Sequence, residues 1–146
     1  MTRRTTVRHE FVDHFPEVPE EGVIYVSVPF ATATHRCCCG CGQEVITPLS
    51  PTDWRLTFDG ESVSLAPSIG NWSFPCQSHY WIRRNRVEWA RRFTAQQVRT
   101  VREADRVAKS HYYVADEHSR PSGTPTAGTI GHRVRRWLSR NKGGGL

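Results

Sequence analysis

The sequence predicts a β-rich α+β fold: a small antiparallel sheet or partly open barrel gathered around a cysteine-ligated centre, with one amphipathic helix and a basic C-terminal tail or helix. Three observations carry this reading. Short β-branched and aromatic runs recur from Gly22 to about Ala90, punctuated by Pro and Gly about every 8–12 residues. At Thr94 the apolar spacing changes from alternating to helical. Four of five cysteines crowd into HRCCCGCG as Cys37, Cys38, Cys39 and Cys41, and the fifth is Cys76.

Residues 1–21 are mixed, and Pro16 and Pro19 disfavour a long helix, so they read as an N-terminal arm. The stretch 22–110 reads as one β-rich domain. GVIYVSV (Gly22 to Val28) is a first strand, and Glu44 to Thr47 a short second one. WRLTFDGESVSLA holds two alternating runs joined at Asp59-Gly60, a strong local hairpin signal. HYWIR and RVEWA form a second hairpin across Arg84 and Asn85, for about six or seven strands in all.

Thr94 and Gln97 make a capping box. Val98, Val101, Ala104 and Ala108 then recur at helical spacing, with Arg99, Arg102, Arg106 and Lys109 opposite, which predicts a helix over 94–109 packed on the sheet. Residues 111–128 are polar, without period, and read as a linker. Ile130, Val134, Trp137 and Leu138 fit a short basic helix in 129–146.

Composition limits the function classes. At 146 residues the chain excludes a multidomain enzyme. Hydrophobic residues make up 37%, enough for a core but a thin one. The net charge of +6 is uneven: residues 1–90 carry 8 basic and 10 acidic side chains, residues 91–146 carry 12 and 4. The start has no apolar run of signal-peptide length and no span is long enough for a membrane helix, so a soluble cytoplasmic protein is expected, with no membrane partner.

Five cysteines in this spacing make a poor disulfide framework and a good metal site. Structural zinc takes four tetrahedral ligands, and Gly40 and Gly42 let the backbone turn around an ion. On an extended segment Cys37, Cys39 and Cys41 face one way, and Cys76 completes the set. A competing register pairs Cys38 with Cys41 as a CxxC knuckle. An iron–sulfur cluster, a redox role and unliganded thiols are the alternatives to zinc. Four thiolates leave no open coordination position, so the metal is expected to be structural.

Two serine–histidine pairings arise near these cysteines. Ser78 follows Cys76 by two and His35 precedes Cys37 by two, so ligation would gather His35 as base beside Ser78 as nucleophile. His79 should face the opposite side from Ser78, and its natural partner is Ser68, which precedes the turn Ile69-Gly70-Asn71. Backbone amides of that turn and the Asn71 side chain could serve an oxyanion. Asp53 and Asp59 are the nearest acidic candidates for a third member. The structural alternative is that the serines cap backbone and the histidines support the metal.

HRCCCGCG, the tryptophan of TDWRLTF, and DGESVSLAPSIGNWSFPCQSHYWIRRNRVEW together resemble a bacterial domain family whose genes lie beside ubiquitin-like, E1-like and E2-like genes. The family pattern is a histidine, CxCGCG, a proline-serine pair before a turn, and a cysteine two residues before Ser-His-Tyr. His35, Cys37, Cys39, Cys41, Ser68, Cys76, Ser78, His79 and Tyr80 fall on it, across about Gly22 to Ala90. Cys38 occupies a variable position, which favours the alternating register. The resemblance implies a zinc-stabilised serine-type peptidase that processes or deconjugates a ubiquitin-like protein, with E1-like and E2-like proteins as further partners. A non-catalytic zinc-binding adaptor for the same partners is the second reading. Nucleic acid, held by the basic back end with Tyr112, Tyr113 and Trp137 for stacking, is a third.

Overall fold

The computed structural model describes residues 2–120. The chain divides into two compact units, Met1–Tyr112 and Tyr113–Leu146, and all the strands below lie in the first. They are β1 (Arg8–Phe11), β2 (Val23–Ser27), β3 (Thr32–Arg36), β4 (Glu44–Pro48), β5 (Arg55–Phe58), β6 (Val63–Gly70), β7 (His79–Arg83) and β8 (Arg86–Trp89), followed by α1 (Ala95–Ser119). Two four-stranded sheets form, β1-β2-β3-β4 and β5-β6-β7-β8, and neither closes into a barrel. All neighbours pair antiparallel except β1 with β2.

The two sheets share one apolar core. Ile24, Val26, Ala33 and Val45 of the first meet Val63, Leu65, Ile69, Tyr80, Ile82 and Val87 of the second. Period-two alternation explains the choice of residues: Val63, Leu65 and Ile69 point inward along β6, as do Tyr80 and Ile82 along β7. Their strand neighbours Ser68 and Trp81 are less buried, on the other face. The register of β6 shifts between Leu65 and Ile69, a bulge containing the cis peptide Ala66–Pro67 and carrying Ser68 at its end.

Both expected hairpins form. Arg84 and Asn85 both have positive φ, 48° and 60°, the requirement of a type I′ turn, and the Asn85 side chain accepts a hydrogen bond from the Val63 amide at 2.9 Å. At the other turn the Asp59 carboxylate accepts from the amides of Glu61 and Ser62 at 2.9 and 2.7 Å. The Glu61 amide and then the Ser62 groups hold the carboxyl down at about 2. A depressed carboxyl contributes stability above its unfolded value, near 4, and loses it as pH falls toward 2. Asp59→Asn, compared with wild type in melts from pH 5 to 2, is therefore expected to cost stability at pH 5 and to converge with wild type at the acid end.

The N-terminal segment is not an appended arm. Its β1 pairs parallel with β2, Thr6 bridges to Arg86, the Arg4 amide donates to the Cys38 carbonyl at 2.8 Å, and the Trp89 indole donates to the Arg4 carbonyl at 2.9 Å. It ties the two sheets together. Pairing of this kind spans long sequence separations and leaves no local pattern to read.

The capping box forms as expected, Thr94 and Gln97 exchanging bonds of 2.8 and 3.2 Å. The helix differs in two respects. It runs to Ser119, through the first part of the expected linker, and it buries none of its residues, so it does not pack on the sheet. Its stripe is short and alanine-rich, too little apolar area to compete with water; Val101 is 44% exposed. Polar contacts hold it instead: Arg102 donates to Ser73 at 3.1 Å, and Lys109 pairs with Asp53 at 2.8 Å. Lys109 also meets Asp105, and Arg106 meets Glu103, so part of the positive face read as a nucleic-acid surface is neutralised in place. The rest of the expected linker and the basic helix in 129–146 lie outside the described residues. Among the described residues no helix is long and apolar enough to cross a membrane.

Candidate functional site

Strand β7 and the residue before it separate two side-chain clusters. Ser78, Tyr80 and Ile82 point to the core between the sheets, and His79 and Trp81 take the opposite face of the strand, where His79 is itself buried.

On the core side the sulfurs of Cys37, Cys39, Cys41 and Cys76 all lie within 4.8 Å of one another. Cys37 Sγ is 3.4 Å from Cys39 Sγ and 3.9 Å from Cys76 Sγ, which is 3.9 Å from Cys41 Sγ. Four sulfurs about 2.3 Å from a shared tetrahedral ion would be about 3.8 Å apart, so the set fits a tetrathiolate metal. Gly40 and Gly42, with φ of +86° and +80°, make the turns that bring the three clustered cysteines to one point. Cys38 points away: it is fully buried, and burial pushes its thiol up to about 12. The alternating register is therefore the one whose sulfurs converge, not the CxxC knuckle.

Burial pushes the Cys37 and Cys39 thiols up. Burial also opposes ionisation of Cys76, but hydrogen bonding with the side chain and backbone of Ser78, and then with Cys39 and Cys37, outweighs it and brings that thiol down to about 7. Four sulfurs this close cannot all ionise unless a positive charge compensates them.

Ser78 belongs to this cluster. The Asn71 side-chain amide donates to Ser78 Oγ at 2.9 Å, which leaves the hydroxyl proton for Cys37 Sγ, 3.0 Å away. His35 does not join it. Its Nε2 bonds the Tyr80 hydroxyl at 2.8 Å, and its Nδ1 is buried without a partner. No hydrogen bond joins His35 to Ser78, because the Tyr80 ring reaches across the core and takes the histidine first. Burial lowers the His35 imidazole to about 4, keeping it neutral. Asn71, expected at an oxyanion, turns its amide inward to Ser78, Tyr80 and Cys37.

On the outer side His79 Nε2 lies 2.9 Å from Ser68 Oγ, and His79 Nδ1 lies 2.8 Å from the Arg91 carbonyl oxygen. A carbonyl only accepts, so Nδ1 carries the proton and Nε2 presents its lone pair to the serine. The ring is held by aromatics: Trp72 at 5.0 Å and Phe93 at 4.6 Å both meet it edge-on, while Trp72 and Phe93 stack on each other at 4.9 Å. Neither acidic candidate reaches it. Asp53 is engaged by Lys109 and Ser50, and Asp59 closes its hairpin.

Gly70 makes the Trp72 position possible, since a Cβ there would run into the indole. Gly70→Ala is expected to cost about 1–3 kcal/mol in urea unfolding and to displace the stack that holds His79.

A family model described as bacterial ubiquitination-like system serine protease, BubE, matches residues 11–90, more than half of the chain. The chain belongs to the BubE family. No curated protein and no solved structure matches it. The BubE match spans the four converging cysteines, Ser68, Asn71, Ser78 and His79, and it begins within β1. Arg91 and Phe93, which fix the imidazole, lie just beyond it. Sequence reasoning missed Arg91, Trp72 and Phe93 in this BubE chain. A backbone carbonyl leaves no trace in residue identity, and only the small Gly70 two positions before a tryptophan hints at the stack.

Proposed function

We propose that this protein is a serine peptidase of a bacterial ubiquitination-like pathway, with Ser68 as nucleophile and His79 as base, acting on the C-terminal tail of a ubiquitin-like protein before or after its conjugation. The observation that carries the reading is the pair of bonds made by His79, which gives its Nε2 lone pair to Ser68 while the Arg91 carbonyl holds the other nitrogen. That carbonyl takes the orienting place an aspartate holds in other serine–histidine sites.

As Ser68 Oγ bonds to the scissile carbonyl carbon, its proton passes to His79 Nε2. The imidazolium then gives that proton to the leaving amine as the C–N bond breaks, leaving an acyl ester on Ser68. His79 next takes a proton from water, whose oxygen attacks the ester, and returns it to Ser68 on release of the acid. Ser78, whose proton faces sulfur, takes no part.

We assign Cys37, Cys39, Cys41 and Cys76 as ligands of a structural zinc. With four thiolates its coordination is closed, so it supplies folding free energy rather than an activated water.

Incubation with a ubiquitin-like precursor from a BubE operon, followed by intact-mass analysis, tests the activity. Fluorophosphonate labelling tests the nucleophile: one adduct on Ser68 is the expected result, and no labelling with stable co-elution would favour the adaptor reading.

A further inference from the structure

Each sheet has one free strand edge beside the Ser68–His79 pair. Strand β5 pairs with β6 only as far as Arg55 opposite Ala66, so residues 67–70 of β6 have β7 on one side and, among the described residues, no strand on the other. The Asn71 amide donates to the Ser78 carbonyl at 2.9 Å, which puts Asn71 and Ile69 in the phase that faces β7. By alternation the backbone N–H and C=O of Gly70, and of Ser68 before it, face the open edge.

The same reasoning applies to β4, whose strand partner among the described residues is β3; on its other edge the Pro48 carbonyl accepts from the Trp54 amide at 3.1 Å, which leaves the stretch before it open. The Cys37 amide donates to the Gln43 carbonyl at 2.8 Å, so Gln43 and Val45 face β3. The backbone groups of Glu44 and Ile46 therefore face away from it, and the Ile46 side chain is 59% exposed. A groove of about 360 Å³ has Glu44, Val45 and Ile46 on one wall and Ile69, Gly70 and Asn71 on the other. Trp54 lines it and also a second cavity of about 870 Å³ that holds Ala66, Pro67 and Trp81, so along β6 the two cavities take the residues on either side of Ser68. The Trp54 indole N–H is buried with no hydrogen-bond partner.

Two facing strand edges with free backbone groups are complementary to one ligand chemistry, an extended peptide backbone. The tryptophan walls and modest volume restrict it to small side chains. We propose that the groove between β4 and β6 takes an extended small-residue peptide tail as an inserted strand, bonded to Gly70 on one side and Ile46 on the other, so that its backbone passes Ser68. This rests on the peptidase reading and adds how the tail is recognised: through main chain on both sides.

The test uses the metal-bound full chain carrying Ser68→Ala and a fluorescein-labelled C-terminal decapeptide of a ubiquitin-like protein from a BubE operon, read by fluorescence anisotropy. In a scan of single N-methylated peptides, binding should fall about tenfold at each of several consecutive positions, because successive residues of an inserted strand bond to opposite edges. With Ile46→Pro, which removes an amide facing the groove and none facing β3, the unmethylated peptide should bind about tenfold more weakly, because the peptide carbonyl opposite loses its donor. N-methylation tolerated throughout, sensitivity at alternate positions only, or a folded Ile46→Pro that binds as tightly as before would overturn insertion. If Ile46→Pro does not fold, the peptide scan decides alone. Should the scan succeed while the unsubstituted enzyme cleaves nothing, the groove stands and the peptidase reading fails.

Discussion

Ser68→Ala is expected to remove cleavage of a ubiquitin-like tail, and His79→Ala to remove as much. The loss expected for either is about 10⁴–10⁶-fold in kcat, and the double substitution costs little more, since the two side chains act as one unit. The argument is geometric. Among the described residues, only Ser68 Oγ sits on a histidine nitrogen that presents its lone pair, 2.9 Å away, with the opposite nitrogen anchored to a carbonyl. Ser78→Ala is the discriminating control. It deletes a hydroxyl that faces Cys37 Sγ at 3.0 Å and should lower zinc affinity about 10–100-fold while zinc-saturated protein still cleaves. Initial rates with metal held in excess separate the outcomes. Cleavage by Ser68→Ala at the wild-type rate would show that the nucleophile lies elsewhere.

The second large effect is on folding. Purified protein is expected to carry one zinc per chain, and stripping it with a strong chelator should abolish the cooperative thermal transition. Apparent binding free energies of structural zinc, about 10–16 kcal/mol, match or exceed the whole stability of an ordinary domain, about 5–15 kcal/mol. The core here is small, and Cys37 is one of its fully buried members. Cys37→Ser and Cys76→Ser should each lose metal and fold together. Cys38→Ser should keep the metal, because that sulfur lies outside the converging set, and should show only the cost of a buried hydroxyl, about 1–3 kcal/mol. Atomic emission and near-ultraviolet circular dichroism on the three variants read both quantities. A wild-type protein that binds no zinc yet melts cooperatively would remove the assignment.

Local chemistry was legible and long-range placement was not. Asp59-Gly60 and Arg84-Asn85 specify their own turns, and Thr94 with Gln97 specifies its own cap, so these follow from a few neighbouring residues. Alternation placed Cys38 away from the other cysteines and His79 opposite Ser78, which is why the Ser68–His79 partnership could be read from spacing. The His35–Ser78 pairing failed for a different reason. Alternation says which face a side chain takes but not which of several inward groups reaches it first, and Tyr80 is longer than Ser78. The parallel β1 and the Arg91 carbonyl depend on chain segments far apart in sequence or on backbone alone. The exposed helix was misjudged because four spaced apolar residues indicate a face without guaranteeing enough area to dock.

The back-to-back arrangement along β7 also bears on how this segment tolerates mutation. Most substitutions in Ser78-His79-Tyr80-Trp81 would damage one cluster and spare the other, because neighbouring side chains serve opposite faces. A change of length by one residue is another matter. Inserting or deleting a single residue between Cys76 and Tyr80 would turn the imidazole into the core and the phenol out to solvent, disabling both faces together. The spacing from Cys76 to Tyr80 should therefore be as constrained as the residues themselves.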